Sequence, residues 1–133
     1  MSNIISFETA KELKEAGFPQ PEPGIGQVWH GLVAGQGVIN IITSKAIKEG
    51  CLIDSFGNYH GRDSFERFGT YAPTVDDLLK ELPDHQLCYS VSGFFWCQKP
   101  EYLGRAIIGF SSHSKADSLV EACAMEWLKL NKL

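Results

Sequence analysis

The stretch SKADSLVEACAMEWLKLNKL, Ser114 to Leu133, decides how the rest of the chain is read. Its apolar residues Ala116, Leu119, Val120, Cys123, Ala124, Trp127 and Leu128 are spaced 3-1-3-1-3-1, which draws one stripe along a helix of 3.6 residues per turn. Lys115, Asp117, Ser118, Glu121, Glu126 and Lys129 fall on the other side. Ser114 followed by Asp117 gives a start of the capping-box kind, with Asp in place of the longer Glu. A stripe holding Trp127, Leu128, Leu119 and Val120 has to be covered. The upstream chain reads as that cover.

Working back from it, Arg105 to Phe110 reads as a last strand, and Leu87–Val91 with Phe94–Gln98 as a hairpin closed by Ser92-Gly93. Thr74 opens a central helix with Asp77 as its capping partner, an apolar face of Val75, Leu78, Leu79 and Leu82, and Pro83 as its stop. Asp63 to Phe68 reads as a single helical turn. Cys51 to Phe56 is a strand that turns at Gly57-Asn58 into a short return at Tyr59-His60. Gly26–Val33 and Gly37–Thr43 read as strands joined by Ala34-Gly35-Gln36-Gly37, and Ser44–Gly50 stays open between a helical turn and an irregular edge. Phe7 to Ala16 is an N-terminal helix capped by Ser6 and ended by Gly17. Pro19, Pro21 and Pro23 follow as a stiff, extended connection. The residues before Ser6 have no pattern and are expected to be poorly ordered or to lie along an edge. The fold class is α+β: a mostly antiparallel twisted sheet with three helices (N-terminal, central, long C-terminal) packed on it, in a single domain over residues 1–133.

At 133 residues the chain can bury roughly two thirds of its unfolded surface without metal or disulfide staples. A net charge of −4 with scattered Lys and Arg argues against an extended phosphate-binding surface. No apolar run reaches membrane-spanning length, and the start lacks a signal-peptide pattern, so a cytoplasmic location is expected. There Cys51, Cys88, Cys97 and Cys123 are expected to be reduced, and they include no C-x-x-C pair. Neither a cofactor nor a metal is expected.

Four phrases carry a resemblance: Thr9 to Pro21, Gly26-Gln27-Val28-Trp29, Tyr71 to Leu79, and Ser111 to Trp127. Together they resemble a family of small uncharacterised proteins of gut Bacteroidetes and their phages or mobile elements. That family has no assigned activity, so the resemblance implies a context, a phage- or mobile-element-type accessory protein, and no site residues. The order of elements at the tail also looks like HicB-type antitoxins and double-stranded-RNA-binding domains, without their basic cluster, since Lys115 stands alone.

Three groups of residues invite chemistry. A two-residue Ser92-Gly93 loop would set Tyr89 opposite Trp96 and Cys88 opposite Cys97, a thiol pair that reads as small buried hydrophobes more readily than as a redox or half-metal site. His85 and His113 are too distant in sequence to complete such a site. Phe94, Phe95 and Trp96 could stack on bases, but only Lys99 and Arg105 lie near, so core packing under the terminal helix, with Tyr89 and Val91, is the better reading. Cys51, His60 and Asp63 could be imagined as a thiol nucleophile with a base; the spacing is diagnostic of nothing, and Cys51 reads as structural. No catalytic residue is assigned. The low-ranked binding candidates are Trp96, Phe95, Cys88 and Cys97. The function expected is a non-enzymatic interaction module with an unidentified protein partner. A small nucleic-acid-associated regulator is the alternative, and a cryptic thiol enzyme comes third. Nucleic acid is the disfavoured partner, no membrane is expected, and a homodimer is compatible with the sequence.

Overall fold

The computed structural model describes residues 4–32, 39–46, 50–89 and 92–131, with Cys88 and Tyr89 described by backbone alone. They form an α+β fold of two antiparallel sheets and four helices, grouped in two compact units. No helix among the described residues is long and apolar enough to cross a membrane.

One unit spans Ser6–Ala72. Its helix α1, Phe7–Glu15, starts where the Ser6 hydroxyl accepts the Thr9 N–H and stops at Gly17, whose φ of +93° suits a residue without Cβ. The Phe18 N–H reaches back to the Leu13 carbonyl, so the orphan carbonyls of the last turn are used. Five strands follow: β1 Val28–His30, β2 Ile39–Lys45, β3 Leu52–Asp54, β4 Tyr59–His60 and β5 Thr70–Tyr71, in the order β4-β3-β2-β1-β5. Between β4 and β5 lies α2, Arg62–Arg67, where the sequence suggested only one turn; it makes a fourth helix. Alternation along β2 buries Asn40 and Ile42 and exposes Ile39, Ile41 and Thr43. Trp29, Leu32, Ile42, Leu52, Phe65 and Tyr71 pack into one cluster, with Phe65 edge-on to Trp29 at 5.0 Å between ring centres. The expected loop Ala34-Gly35-Gln36-Gly37 lies outside the described residues, as does Ile47.

The other unit comprises Pro73–Leu133 with the first five residues. Helix α3, Val75–Lys80, has the full capping box: Thr74 accepts the Asp77 N–H, and Asp77 accepts the Thr74 N–H. Strands β6 Gln86–Tyr89, β7 Phe95–Leu103 and β8 Ala106–Ala116 form a three-stranded sheet in that order, and α4 runs from Leu119 to Asn131. The strands are thus split between two sheets, where the sequence suggested one.

Three expectations are corrected here. First, Ser114, Lys115 and Ala116 belong to β8, so the terminal helix does not start at Ser114. Its cap is Ser118, whose hydroxyl accepts the Glu121 N–H at 3.2 Å. Secondly, α4 is wrapped more fully than its stripe implied: Ala122 and Glu126 are buried along with Val120, Cys123, Ala124, Trp127 and Leu128. Thirdly, Ile5 is 0 % exposed, so the chain before Ser6 contributes a core residue.

Candidate functional site

The sheet β6-β7-β8 presents the sequence candidates. Its register pairs Leu87 with Cys97, Cys88 with Trp96 and Tyr89 with Phe95. This is one residue away from the register a two-residue Ser92-Gly93 loop would impose, because the span from Tyr89 to Phe95 encloses an odd number of residues. Gly93, at φ +91°, takes a left-handed conformation that suits a residue without Cβ. Ser90 and Val91 lie outside the described residues. Cys88 and Cys97 are therefore not cross-strand partners.

Cys97 instead meets Cys123 of α4. Their thiols share a hydrogen bond, and that bond together with burial drives Cys97 far above the ordinary thiol range. The same bond lowers Cys123, but both residues are 0 % exposed, so neither sulfur is open to a substrate. Cys51 is half-buried at the head of β3.

Opposite parity follows for Trp96. Ser114, across from Cys97, donates to Glu126 of α4, so the neighbouring pair Trp96 and Lys115 occupies the other face. There Trp96 is half-buried, its ring 5.4 Å from that of His113, and the Lys115 ammonium lies 4.7 Å from the ring centre of Phe94 and 5.6 Å from that of Trp96. Phe94 and Trp96 are not packed under the terminal helix, contrary to the sequence reading. Phe95, half-buried, stands between Tyr89 and Ala116.

Glu126 is the polar centre of the helix side. At 0 % exposure it accepts Ser112 and Ser114 hydroxyls on Oε1, both at 3.0 Å, and His85 Nε2 sits 2.9 Å from Oε2. His85 Nδ1 faces the Pro83 carbonyl at 3.1 Å. Lys129 donates to the His113 carbonyl and stands 3.9 Å from Oε1.

Beyond this anchored part, β7 and β8 run on as an arm. From Glu101 to Ser111 every residue is exposed except Gly109, which is half-buried. Tyr102, Leu103, Ile107, Ile108 and Phe110 are 45 to 72 % exposed. The register slips twice: Lys99 pairs with Ser112 but Pro100 with Phe110, and Glu101 pairs with Gly109 but Tyr102 with Ile107. Ser111 and Ile108 are the residues skipped. Pro100 has no N–H for a ladder, so a bulge beside it is where such a strand tolerates proline.

The other unit holds a cleft of about 320 Å³ whose lining includes Glu22, Ile25, Lys45, His60, Arg62 and Phe65. A second, of about 260 Å³, shares Glu22, Pro23, Arg62 and Phe65 with it. The proline-rich connection thus serves as a wall of both, and Arg62 grips Glu22 at 2.7 and 3.0 Å between them. Behind the first cleft, His60 Nε2 lies 2.7 Å from Asp54 Oδ2. Asp54 also accepts the N–H groups of Phe56 and Asn58 and the Asn40 amide. Burial pushes its carboxyl up, but the hydrogen bonds from His60, Asn58, Phe56 and Asn40 outweigh it and hold the group at about 2. The partner that the structure gives His60 is therefore Asp54; Asp63, exposed in the first turn of α2, is not part of this bond. Neither the arm nor the cleft was singled out by the sequence. A signal for the arm was present in the uncharged run from Ala106 to Phe110; the cleft joins residues too distant for any local motif.

No protein-family model, no curated protein and no solved structure matches this chain.

Proposed function

We propose that the chain is a non-enzymatic protein-interaction module, of the accessory kind its resemblance implies, working through the β7–β8 arm. The single observation behind this reading is the exposure of Tyr102, Leu103, Ile107, Ile108 and Phe110 on one projecting ribbon. Clustered apolar residues of this size in water are the usual mark of an interaction surface. The bulges at Ile108 and Ser111 break up the free backbone edge of β8, which disfavours strand addition and leaves the side chains as the contact. The occupant we assign is the arm of a second copy. Each arm carries one acid and one base, Glu101 and Arg105, both exposed and four residues apart across the tip. A two-fold axis perpendicular to the arms and passing near their tips sets them antiparallel and brings each Glu101 toward the Arg105 of the other copy while the apolar residues cover one another.

Sedimentation velocity over a concentration series tests this. The wild-type chain should dimerise in the micromolar range, and Leu103→Asp or Ile108→Asp should be monomeric with an unchanged melting temperature. A wild type that stays monomeric into the high-micromolar range removes the second copy as occupant. The nucleic-acid reading has less support: the ammonium of Lys115, which lies by this aromatic face, is already spent over Phe94 and Trp96.

A further inference from the structure

We infer that the cleft beside His60 is a binding site for a small monocarboxylate with an apolar or aromatic body. Three features of the lining point to that class, and none depends on the arm.

Charge comes first. Of the two Lys and Arg side chains among the described residues at the cleft, Arg62 is already compensated by Glu22, with Glu66 a further 3.6 Å contact. Lys45 forms no ion pair among the described residues, so among them it is the cation open to a negative charge on the ligand. A dianion would be left half-neutralised.

The second feature is the orientation of His60. Asp54 is ionised at neutral pH, so the hydrogen on Nε2 is committed to it, and the ring is fixed by that bond and by Phe65 edge-on at 6.1 Å. Among the described residues nothing bonds Nδ1, and His60 lines the cleft. Nδ1 is thus the ring atom left for a ligand group, beside the Lys45 ammonium that takes the carboxylate charge. The arrangement is a preformed hydrogen-bonding post, not a side chain that must be ordered on binding.

The third feature is the apolar wall. Ile25, Leu52, Phe65 and Pro23 face the same space, and Ile25 is 62 % exposed in the free protein. A ligand body laid against Ile25 removes that surface from water. The volume of about 320 Å³ suits a compact molecule.

Sodium benzoate is the probe, followed by heteronuclear NMR of the full chain. Saturable shifts should appear at His60, Lys45, Phe65 and the 22–25 segment, with a dissociation constant on the order of 1 mM, as a ligand of this size allows. Lys45→Ala, an exposed substitution outside the core, should weaken binding by about fivefold. Inorganic phosphate and benzyl alcohol, which supply only the charge or only the ring, should each bind more weakly than benzoate. The inference is overturned by an absence of saturable shifts at these residues, by equal affinity in Lys45→Ala, or by either control binding as tightly as benzoate.

Discussion

His85 and Glu126 meet inside the helix-sheet unit with Nε2 and Oε2 2.9 Å apart, while the other ring nitrogen of His85 faces the Pro83 carbonyl. Both imidazole nitrogens therefore look at oxygen atoms. The carboxylate thus meets the imidazole on Oε2 and the Ser112 and Ser114 hydroxyls on Oε1. This makes a substitution test possible. In Glu126→Gln the amide oxygen can take the Ser112 and Ser114 hydroxyls, and the amide N–H can face Nε2. Its cost should be about 1 kcal/mol, the difference between charged and neutral hydrogen bonds. Glu126→Ala takes the carboxylate away from His85 Nε2, the buried Ser114 hydroxyl and the half-buried Ser112 hydroxyl, and should cost about 3–5 kcal/mol. Urea unfolding of the two variants measures the gap; equal losses would mean that the amide does not replace the carboxylate in this network.

Asp54 makes stability depend on pH in a defined direction. Its folded value of about 2 lies below the ordinary carboxyl value of 3.8. The contribution is complete above the unfolded value and is lost as pH falls through the folded one. The side chain is 0 % exposed, so the shift amounts to about 2 kcal/mol, lost between pH of about 5 and 2. Asp54→Asn removes the titrating group, and an amide flip at Asn40 would give its unpaired Oδ1 a donor. The acid limb of the variant should be shallower by that amount. Superimposable acid limbs would show that Asp54 does not titrate with folding.

What was legible in the sequence was local. Ser6, Gly17 and the Thr74–Asp77 box were read correctly because a cap depends on residues within one turn. The burial of Trp127 followed from its stripe, and it is 5 % exposed. Pairings between distant segments were not legible. Glu126 sits on what looked like the solvent side of its helix, and only His85, 41 residues earlier, and the β8 serines explain its burial. The division of strands into two sheets and the odd hairpin loop are likewise set by tertiary packing, which overrides a plausible turn dipeptide. The cleft unites Glu22, Lys45 and His60 across separate elements, so no motif announces it.

The start of α4 gives the third prediction. Ser114 and Ser118 both precede α4, but Ser118 caps and Ser114 serves Glu126. The sequence Ser118-Leu119-Val120-Glu121 also fits the capping pattern better than Ser114 with Asp117, since its third residue is Glu. Ser118→Ala should cost about 1 kcal/mol and speed amide exchange in the first turn, at Glu121 and Ala122. Ser114→Ala should leave exchange in that turn unchanged. If it is Ser114→Ala that frays the helix, α4 begins four residues earlier than the structure has it.

Two glycines flanking α2 should respond in opposite ways. At Gly69 a Cβ would stand 2.8 Å from Leu32 Cδ2, 2.9 Å from the Phe65 carbonyl oxygen and 3.0 Å from Trp29 Cε3. The leucine tip can yield, but the carbonyl belongs to the helix and the Trp29 ring to the central cluster. Gly69→Ala should therefore cost about 1–3 kcal/mol, as overpacking does. Gly61 is the N-cap of the same helix, at φ −81° and ψ 168°, with no side chain to cap it and nothing within 4 Å of an added Cβ. Those angles are ordinary for serine. Gly61→Ser supplies an oxygen for the first-turn N–H groups and removes backbone freedom from the unfolded chain, so it should stabilise by about 0.5–1 kcal/mol. Thermal melts of the two variants against wild type decide the matter. A tolerated alanine at Gly69 would mean that α2 sits less tightly on Trp29 and Leu32 than the structure places it.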